Sequence, residues 1–529
     1  LPKNALIILL MRYRTLWLIC SSFLLITCSS RLHAQLIWHY TNDEGMMTFS
    51  SPKVADLNGD GILDVVIGDG LDIADMAGFN RPSVTPKNIL LNEKGEKILG
   101  HIKAFDGKTG SLLWSISSIA EIYSSPFLMD VNKDGVQDVL IGGRLSQFYA
   151  INGKNGEIIW QFDTSQPAPD PRGWLQFYNP QAVKDCNQDG INDLIVTNGG
   201  YPPAPPNDKN RPVGRLLLLD AATGKILSKL LMPDSAETYC SPVIYPGENR
   251  DEDLIIWGSG GETHPGSLWA IRVKDLQNQN PKGFIKILTN RKKGFMVPPV
   301  IADINRDKIR DIVVANFEGK VQAINGVNFS LLWEYGEDSC ETYTCPTVGY
   351  FNNDSILDVA TFLNVGVFPA YQKAYFVVLD GKDGKPLYKK NISSQYTSPL
   401  ALNLDSDHLD EIIFPESGNM DHVMNQLSGA SKKNTPMPSF FLNALYPSNW
   451  EIRPLTPKRV GMGFASTPCI EDINNDGLLE VIYAYGVFSK KSPGNMGWNI
   501  ERFQLNIPKP TTDYWGGYMG LKTNGIFNR

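Results

Sequence analysis

One unit recurs eight times along this chain, and that periodicity limits its fold more than any single motif does. Around Pro52 the sequence reads FSSPKVADLNGDGILDVVIG, around Pro126 YSSPFLMDVNKDGVQDVLIGG, and around Pro468 FASTPCIEDINNDGLLEVIY. The prolines are Pro52, Pro126, Pro180, Pro242, Pro299, Pro346, Pro399 and Pro468. Each follows an aromatic within four residues: Phe49, Tyr123, Tyr178, Tyr239, Phe295, Tyr343, Tyr396 and Phe464. An acidic residue closes each following loop, at Asp64, Asp138, Asp193, Asp253, Asp311, Asp358, Glu411 and Glu480. From Pro52 to Pro468 the chain runs 416 residues, about 59 per unit, a length suited to a four-stranded blade with its loops.

The second half of the unit repeats as well, in IKAFDGKTGSLLW, FYAINGKNGEIIW, VQAINGVNFSLLW and their relatives. Each is an apolar strand, a tight Asp/Asn/Gly turn and a second strand that often ends in Trp. Four strands, a to d, therefore make one unit. A sheet this short cannot bury both faces alone, but eight arranged radially share a continuous core. The spacing predicts an all-β, eight-bladed β-propeller, with seven blades as the alternative count. The last unit lacks a strand d, and Leu36-Ile37-Trp38-His39-Tyr40 carries the missing signature. Pairing the two would close the ring and hide two sheet edges.

The acidic loops place oxygen ligands at alternate positions. Asp56, Asn58, Asp60 and Asp64, with Gly61 at the turn, have the spacing of the first nine positions of an EF-hand loop, for which Ca²⁺ is the natural cation. Asp130, Asn132, Asp134 and Asp138 repeat the set, as do Asp185, Asn187, Asp189 and Asp193, and Asp472, Asn474, Asp476 and Glu480. Two further loops depart at the glycine position. Asp303, Asn305, Asp307 and Asp311 surround Lys308, and Asn403, Asp405, Asp407 and Glu411 surround His408, so both are expected to hold calcium less well. The fourth loop has lost the pattern and Tyr350 replaces the first acid of the sixth, so both are expected to be empty. The expected cofactor is thus structural Ca²⁺ at several sites.

The register P-x-x-x-D-x-N-x-D-G-x-x-D-V-V-I-G resembles FG-GAP/VCBS repeats, the calcium-loop blades of integrin-α-like propellers. The A-x-D-G-x-T-G-x-x-x-W segments resemble blades of pyrroloquinoline-quinone-like propellers. Together the two resemblances cover nearly all the chain after residue 34. They imply fold and calcium, and they leave activity open, because these families include adhesion modules, scaffolds and enzymes.

Residues 1–34 read as upstream sequence followed by a secretory signal: Met11, Arg12 and Arg14, then the apolar run 16–28, then Leu32-His33-Ala34. The apolar run is short and interrupted for a membrane span. Residues 35–529 then form one propeller in a secreted or periplasmic setting, with no integral membrane span once the signal is removed. Lipidation at Cys28 is the less favoured variant. Cys186, Cys240, Cys340, Cys345 and Cys469 remain, and Cys340 and Cys345 are near enough for a local disulfide, with buried free thiols as the other reading. A net charge of -7 excludes a nucleic-acid partner.

Insertions at 69–101, 199–214 and 417–463 fall on b–c and d–a connections, opposite the acidic loops, and mark a binding surface for a protein or glycan ligand. Glu121, Glu237 and Glu341 each sit two residues before their unit's aromatic, and three carboxylates should face the channel mouth. Trp174, Tyr201, His264, Trp450 and Arg453 are their expected neighbours. The expected function is a binding or adhesion module. A polysaccharide lyase or glycosidase on the same face is the first alternative and an envelope assembly scaffold the second. There is no H-E-x-x-H, G-x-S-x-G or phosphate loop, and no adjacent Cys pair of the kind seen in quinoprotein dehydrogenases.

Overall fold

The computed structural model of the protein describes residues 34–71, 91–202, 204, 207–368, 371–418, 437–488 and 496–528. The signal expected from the sequence up to residue 33, residues 72–90 of the 69–101 insertion and residues 419–436 of the 417–463 insertion lie outside these residues. Eight antiparallel sheets form, each with strand order a-b-c-d, as the repeat requires. In blade 1 the strands are Lys53–Ala55, Asp64–Gly70, Gly100–Phe105 and Leu112–Ser118. Strands b and c are buried on both faces, which explains their continuous Val/Ile/Leu runs. In blades 3 and 6 strand a is split into two short pieces that pair with the same strand b.

Blade 8 closes the ring. Its strands a, b and c are Cys469–Glu471, Leu478–Phe488 and Met496–Pro508, and its outer strand is Gln35–Asn42. Trp38 pairs with Arg502 and Asn42 with Trp498 in antiparallel register.

Two side-chain devices join blade to blade. The first is the strand d tryptophan. The indole N–H of Trp114 donates to the Gly153 carbonyl of the next blade at 2.7 Å, Trp160 to Ala221 at 2.8 Å and Trp333 to Gly381 at 2.6 Å. Each ring covers a positive-φ glycine of that neighbouring turn, so a Cβ on Gly156, Gly224 or Gly384 would collide with it. The second device explains the small polar residue before each proline. The Ser51 N–H donates to Ser125 Oγ (3.1 Å), Asn179 to Ser241 (3.3 Å), Cys345 to Ser398 (3.0 Å), Ser398 to Thr467 (3.2 Å) and Thr467 back to Ser51 (3.0 Å). This belt runs around the channel. At blade 5 the residue is Pro298, which has no N–H to satisfy, and the next blade correspondingly offers Cys345 instead of a hydroxyl.

The C-terminal segment after strand c of blade 8 returns across the channel and plugs it. Ala401 and Trp515 exchange both backbone hydrogen bonds, Ile301 accepts from Phe527, and the Ile470 N–H donates to Gly516. Buried Lys53 donates to the carbonyls of Tyr518 (2.8 Å) and Gly520 (3.2 Å), while Gln181 donates to Thr523 (2.7 Å). Trp515, Met519 and Phe527 are buried. The channel is therefore blocked within the ring. The five cysteines are unbonded, with Cys340 and Cys345 both buried, so the local disulfide does not form. No helix among the described residues is long and apolar enough to cross a membrane.

Candidate functional site

Two faces result. On one, the acidic a–b loops lie beside the c–d turns. In four blades the closing carboxylate of the loop accepts a c–d turn N–H: Asp64 from Gly107 (2.8 Å), Asp138 from Gly153 (3.2 Å), Asp311 from Gly326 (3.0 Å) and Asp358 from Gly381 (2.9 Å). The loop folds onto its own side chains. Asp56 accepts from Gly59 (2.7 Å) and Gly61 (3.0 Å), and Asp64 from Leu57 (2.9 Å). Lys308 adopts φ +70°, the conformation that Gly61 and Gly135 hold in their loops. Burial pushes the closing carboxyls up, to about 6 for Asp64, Asp193 and Asp311 and to about 8 for Asp358 and Glu411. Oxygens of Asp405, Asp407 and Glu411 lie within 4.8 Å of one another, in one of the two loops where the sequence pattern is incomplete. Buried Glu411 Oε1, Asp193 Oδ1 and Asp303 Oδ1 have no hydrogen-bond partner among the described residues. An oxygen-only donor set with orphaned carboxylate atoms is chemically suited to a hard cation.

The opposite face carries the channel mouth, lined by the repeat aromatics. Tyr123 and Tyr178 have ring centroids 5.5 Å apart, Tyr178 and Tyr239 6.2 Å, Tyr343 and Tyr396 5.9 Å, and Phe49 and Phe464 5.8 Å. Tyr343, Phe368, Tyr371 and Tyr396 form a tighter platform, all six centroid distances falling between 5.4 and 6.5 Å. All four rings are partly exposed.

Behind the rings sit the three predicted glutamates. They are 1 to 2% exposed, not solvated rim charges, and each is matched by a cation from a neighbouring loop. Glu121 pairs with Arg144, which also donates to Gln176 (2.7 Å) and lies over the Tyr123 ring (5.1 Å). Glu237 pairs with Arg211 (2.8 Å), accepts from Tyr239 (2.9 Å) and has His264 Nδ1 at 3.6 Å. Glu341 pairs with Lys293 and accepts from Tyr371 (2.6 Å) and the Phe368 N–H (2.9 Å). A fourth carboxylate, Glu262, accepts from Tyr343 at 2.5 Å. Burial, and then the charge of Glu341, raise its carboxyl above the usual range despite that hydrogen bond.

Of the predicted neighbours, His264 and Tyr201 reach this region, Tyr201 through its carbonyl, which accepts from Arg211 at 3.3 Å. Trp174 does not: it is 6% exposed, packed in the blade 3 core against Phe162, with its indole N–H on Gln166. Trp450 and Arg453 are a correction. The 417–463 segment contains strands c and d of blade 7, Ser439–Tyr446 and Glu451–Pro454, and these two residues belong to that hairpin's turn and outer strand. Trp450 stacks on Tyr388 and Arg453 pairs with Glu451 (2.7 Å), beside the acidic loops and away from the mouth. Arg144, Arg211, Lys293, Glu262, Phe368 and Tyr371 went unmarked in the sequence because loops of different blades bring them together.

The architecture is that of an eight-bladed propeller. No protein-family model matches the chain, and no curated protein matches it in sequence. Its fold is similar to solved propellers at low identity. The quinohemoprotein alcohol dehydrogenase ADH-IIG of Pseudomonas putida HK5 matches at 12% identity over 91% of this chain and 78% of its own, with TM-score 0.56. Rhamnogalacturonan lyase YesW matches at 13% over 92% and 77%, TM-score 0.52. A europium-containing methanol dehydrogenase matches at 12% over 89% and 93%, TM-score 0.51. These likenesses establish the propeller and nothing about chemistry.

Proposed function

We propose that the protein is a secreted or periplasmic binding module, stabilised by calcium, that takes a glycan at the channel mouth. The observation that carries this reading is the platform of Tyr343, Phe368, Tyr371 and Tyr396 set against hydrogen-bonding carboxylates in a channel blocked from within. Aromatic faces pack on the apolar side of a sugar ring, and carboxylates accept from its hydroxyls. A glycan binding screen with and without Ca²⁺ tests it. Binding to envelope proteins with no glycan affinity would instead assign the protein to assembly, and binding to neither would reject the reading.

Calcium in the acidic loops is part of the proposal. Asp56, Asn58, Asp60 and Asp64 and their counterparts in the other full loops would hold it, as would Asp405, Asp407 and Glu411. The orphaned oxygens and raised carboxyls support a cation there: among the described residues no cation pairs with Asp56, Asp60, Asp64, Asp405, Asp407 or Glu411, whereas Glu480 of the last loop already pairs with Arg502 (2.6 Å).

A carbohydrate-active enzyme on the same face is the second reading, favoured by one observation. Glu262, partly exposed with a raised carboxyl, adjoins a tyrosine hydroxyl, a pairing able to move a proton. Release of reducing ends, or of an unsaturated product absorbing in the ultraviolet, would establish it.

A further inference from the structure

The charges at the mouth do not match one for one. Glu121, Glu237 and Glu341 each have a cation, but among the described residues Glu262 forms no ion pair. One of its oxygens accepts from Tyr343, and the other accepts from no described group. The hydroxyl protons of Tyr343 and Tyr371 are already given to Glu262 and Glu341, so these phenol oxygens meet a ligand as acceptors. This side of the mouth asks its ligand for donors.

On the other side of Tyr239 the demand reverses. Gln176 is 1% exposed and its Nε2 has no acceptor among the described residues, while its Oε1 is held by Arg144. Gly200 packs closely against this donor: with φ +71°, a Cβ there would lie 2.7 Å from Gln176 Nε2 and 2.5 Å from the Tyr239 ring, so only a residue without a side chain lets a ligand atom approach. A Cβ on Gly261, next to Glu262, would meet Glu237 and the opposite edge of the Tyr239 ring. The orphaned donor thus lies at one edge of Tyr239, and the residue that precedes Glu262 at the other. A buried donor without a partner is costly, so a ligand oxygen that fills it contributes binding energy.

We propose that the mouth is selective for a glycan with free amino groups, the ammonium seated on Glu262 and a sugar oxygen accepting from Gln176. This deepens the glycan reading and rests on it. An acidic glycan is disfavoured because the cations of the site are engaged and its uronates would meet Glu262. A neutral acetamide lacks the charge that would pair with Glu262.

Calorimetric titration of the full chain in calcium with tetramers of glucosamine, N-acetylglucosamine and galacturonic acid tests it without a variant. The glucosamine tetramer is expected to bind at least about tenfold more tightly than either other, the size of one charge-assisted contact. Glu262→Gln should erase that preference while leaving the melting temperature within a degree or two. Equal or tighter binding of the acetylated or acidic tetramer, or a preference that survives Glu262→Gln, overturns the inference and leaves glycan binding standing. Binding of no glycan removes both.

Discussion

The indole N–H of Trp38 donates to the carbonyl of Gly107 over 2.7 Å, tying the outer strand of the last blade to the c–d turn of the first. The ring also covers Gly110, where a Cβ would lie 2.6 Å from it. Trp38→Ala should cost about 3–5 kcal/mol, the range for removing a buried aromatic, and should lower the urea midpoint. Removal of Gln35–Asn42 should be worse, because it also exposes the edge of Met496–Pro508. A midpoint unchanged in Trp38→Ala would mean that the seam carries no load.

Acid sensitivity should be concentrated at the same seam. Asp69 is buried and accepts from Lys103 (2.6 Å), Asn42 (3.0 Å) and Trp498 (3.1 Å). Burial alone would raise its carboxyl, but the Lys103 charge and the His101 contact prevail and hold it at about 2. An unfolded aspartate titrates near 3.9, so the stability that ionised Asp69 contributes is in full force above about pH 4 and is lost as pH falls toward 2. The amount is on the order of 2–3 kcal/mol. Asp69→Asn should be less stable at pH 7 and should show a shallower decline between pH 4 and 2. Parallel pH curves for the two proteins would contradict this.

The pre-proline belt makes a prediction specific to each blade. Ser51→Ala removes the acceptor of the Thr467 N–H, and Thr467→Val removes that of Ser398. Each should destabilise by about 1–3 kcal/mol, the cost of a buried donor left unpaired. Cys345→Ser should give no gain, because Pro298 in the preceding blade has no N–H to offer. A stabilised Cys345→Ser protein in equilibrium unfolding would refute this account of the belt.

Chelation should lower the melting temperature. A cation at a hundred times its dissociation constant stabilises by about 2.7 kcal/mol per site. The loss on adding EDTA should shrink in Asp56→Ala and in Asp405→Ala, since each removes one proposed ligand. A melting curve unmoved by excess EDTA would count against every loop.

What was legible in the sequence was whatever the repeat carries. The eight Pro positions, the blade count and the outer strand at Trp38 all follow from residues recurring at fixed offsets. The C-terminal plug was not legible, because Tyr514 to Phe527 has no periodicity and its partners, from Lys53 to Ile470, are brought together only by the closed ring. Trp450 was misplaced because its hairpin lacks the Asp-Gly turn and terminal Trp that mark strands c and d in other blades. Glu121, Glu237 and Glu341 were visible through their constant distance from the aromatic. Arg144, Arg211 and Lys293, which decide whether those carboxylates are free, sit on loops of differing length with no common spacing.

Hydrogen exchange of the full chain with and without a bound glycan tests most directly that the mouth is the working face. Slowed exchange is predicted for the backbone amides around Glu121 to Tyr123, Glu237 to Tyr239, Glu262 to His264 and Glu341 to Tyr343, with the acidic loops unchanged. Protection confined to the acidic loops and c–d turns, with none at the mouth, would contradict the account.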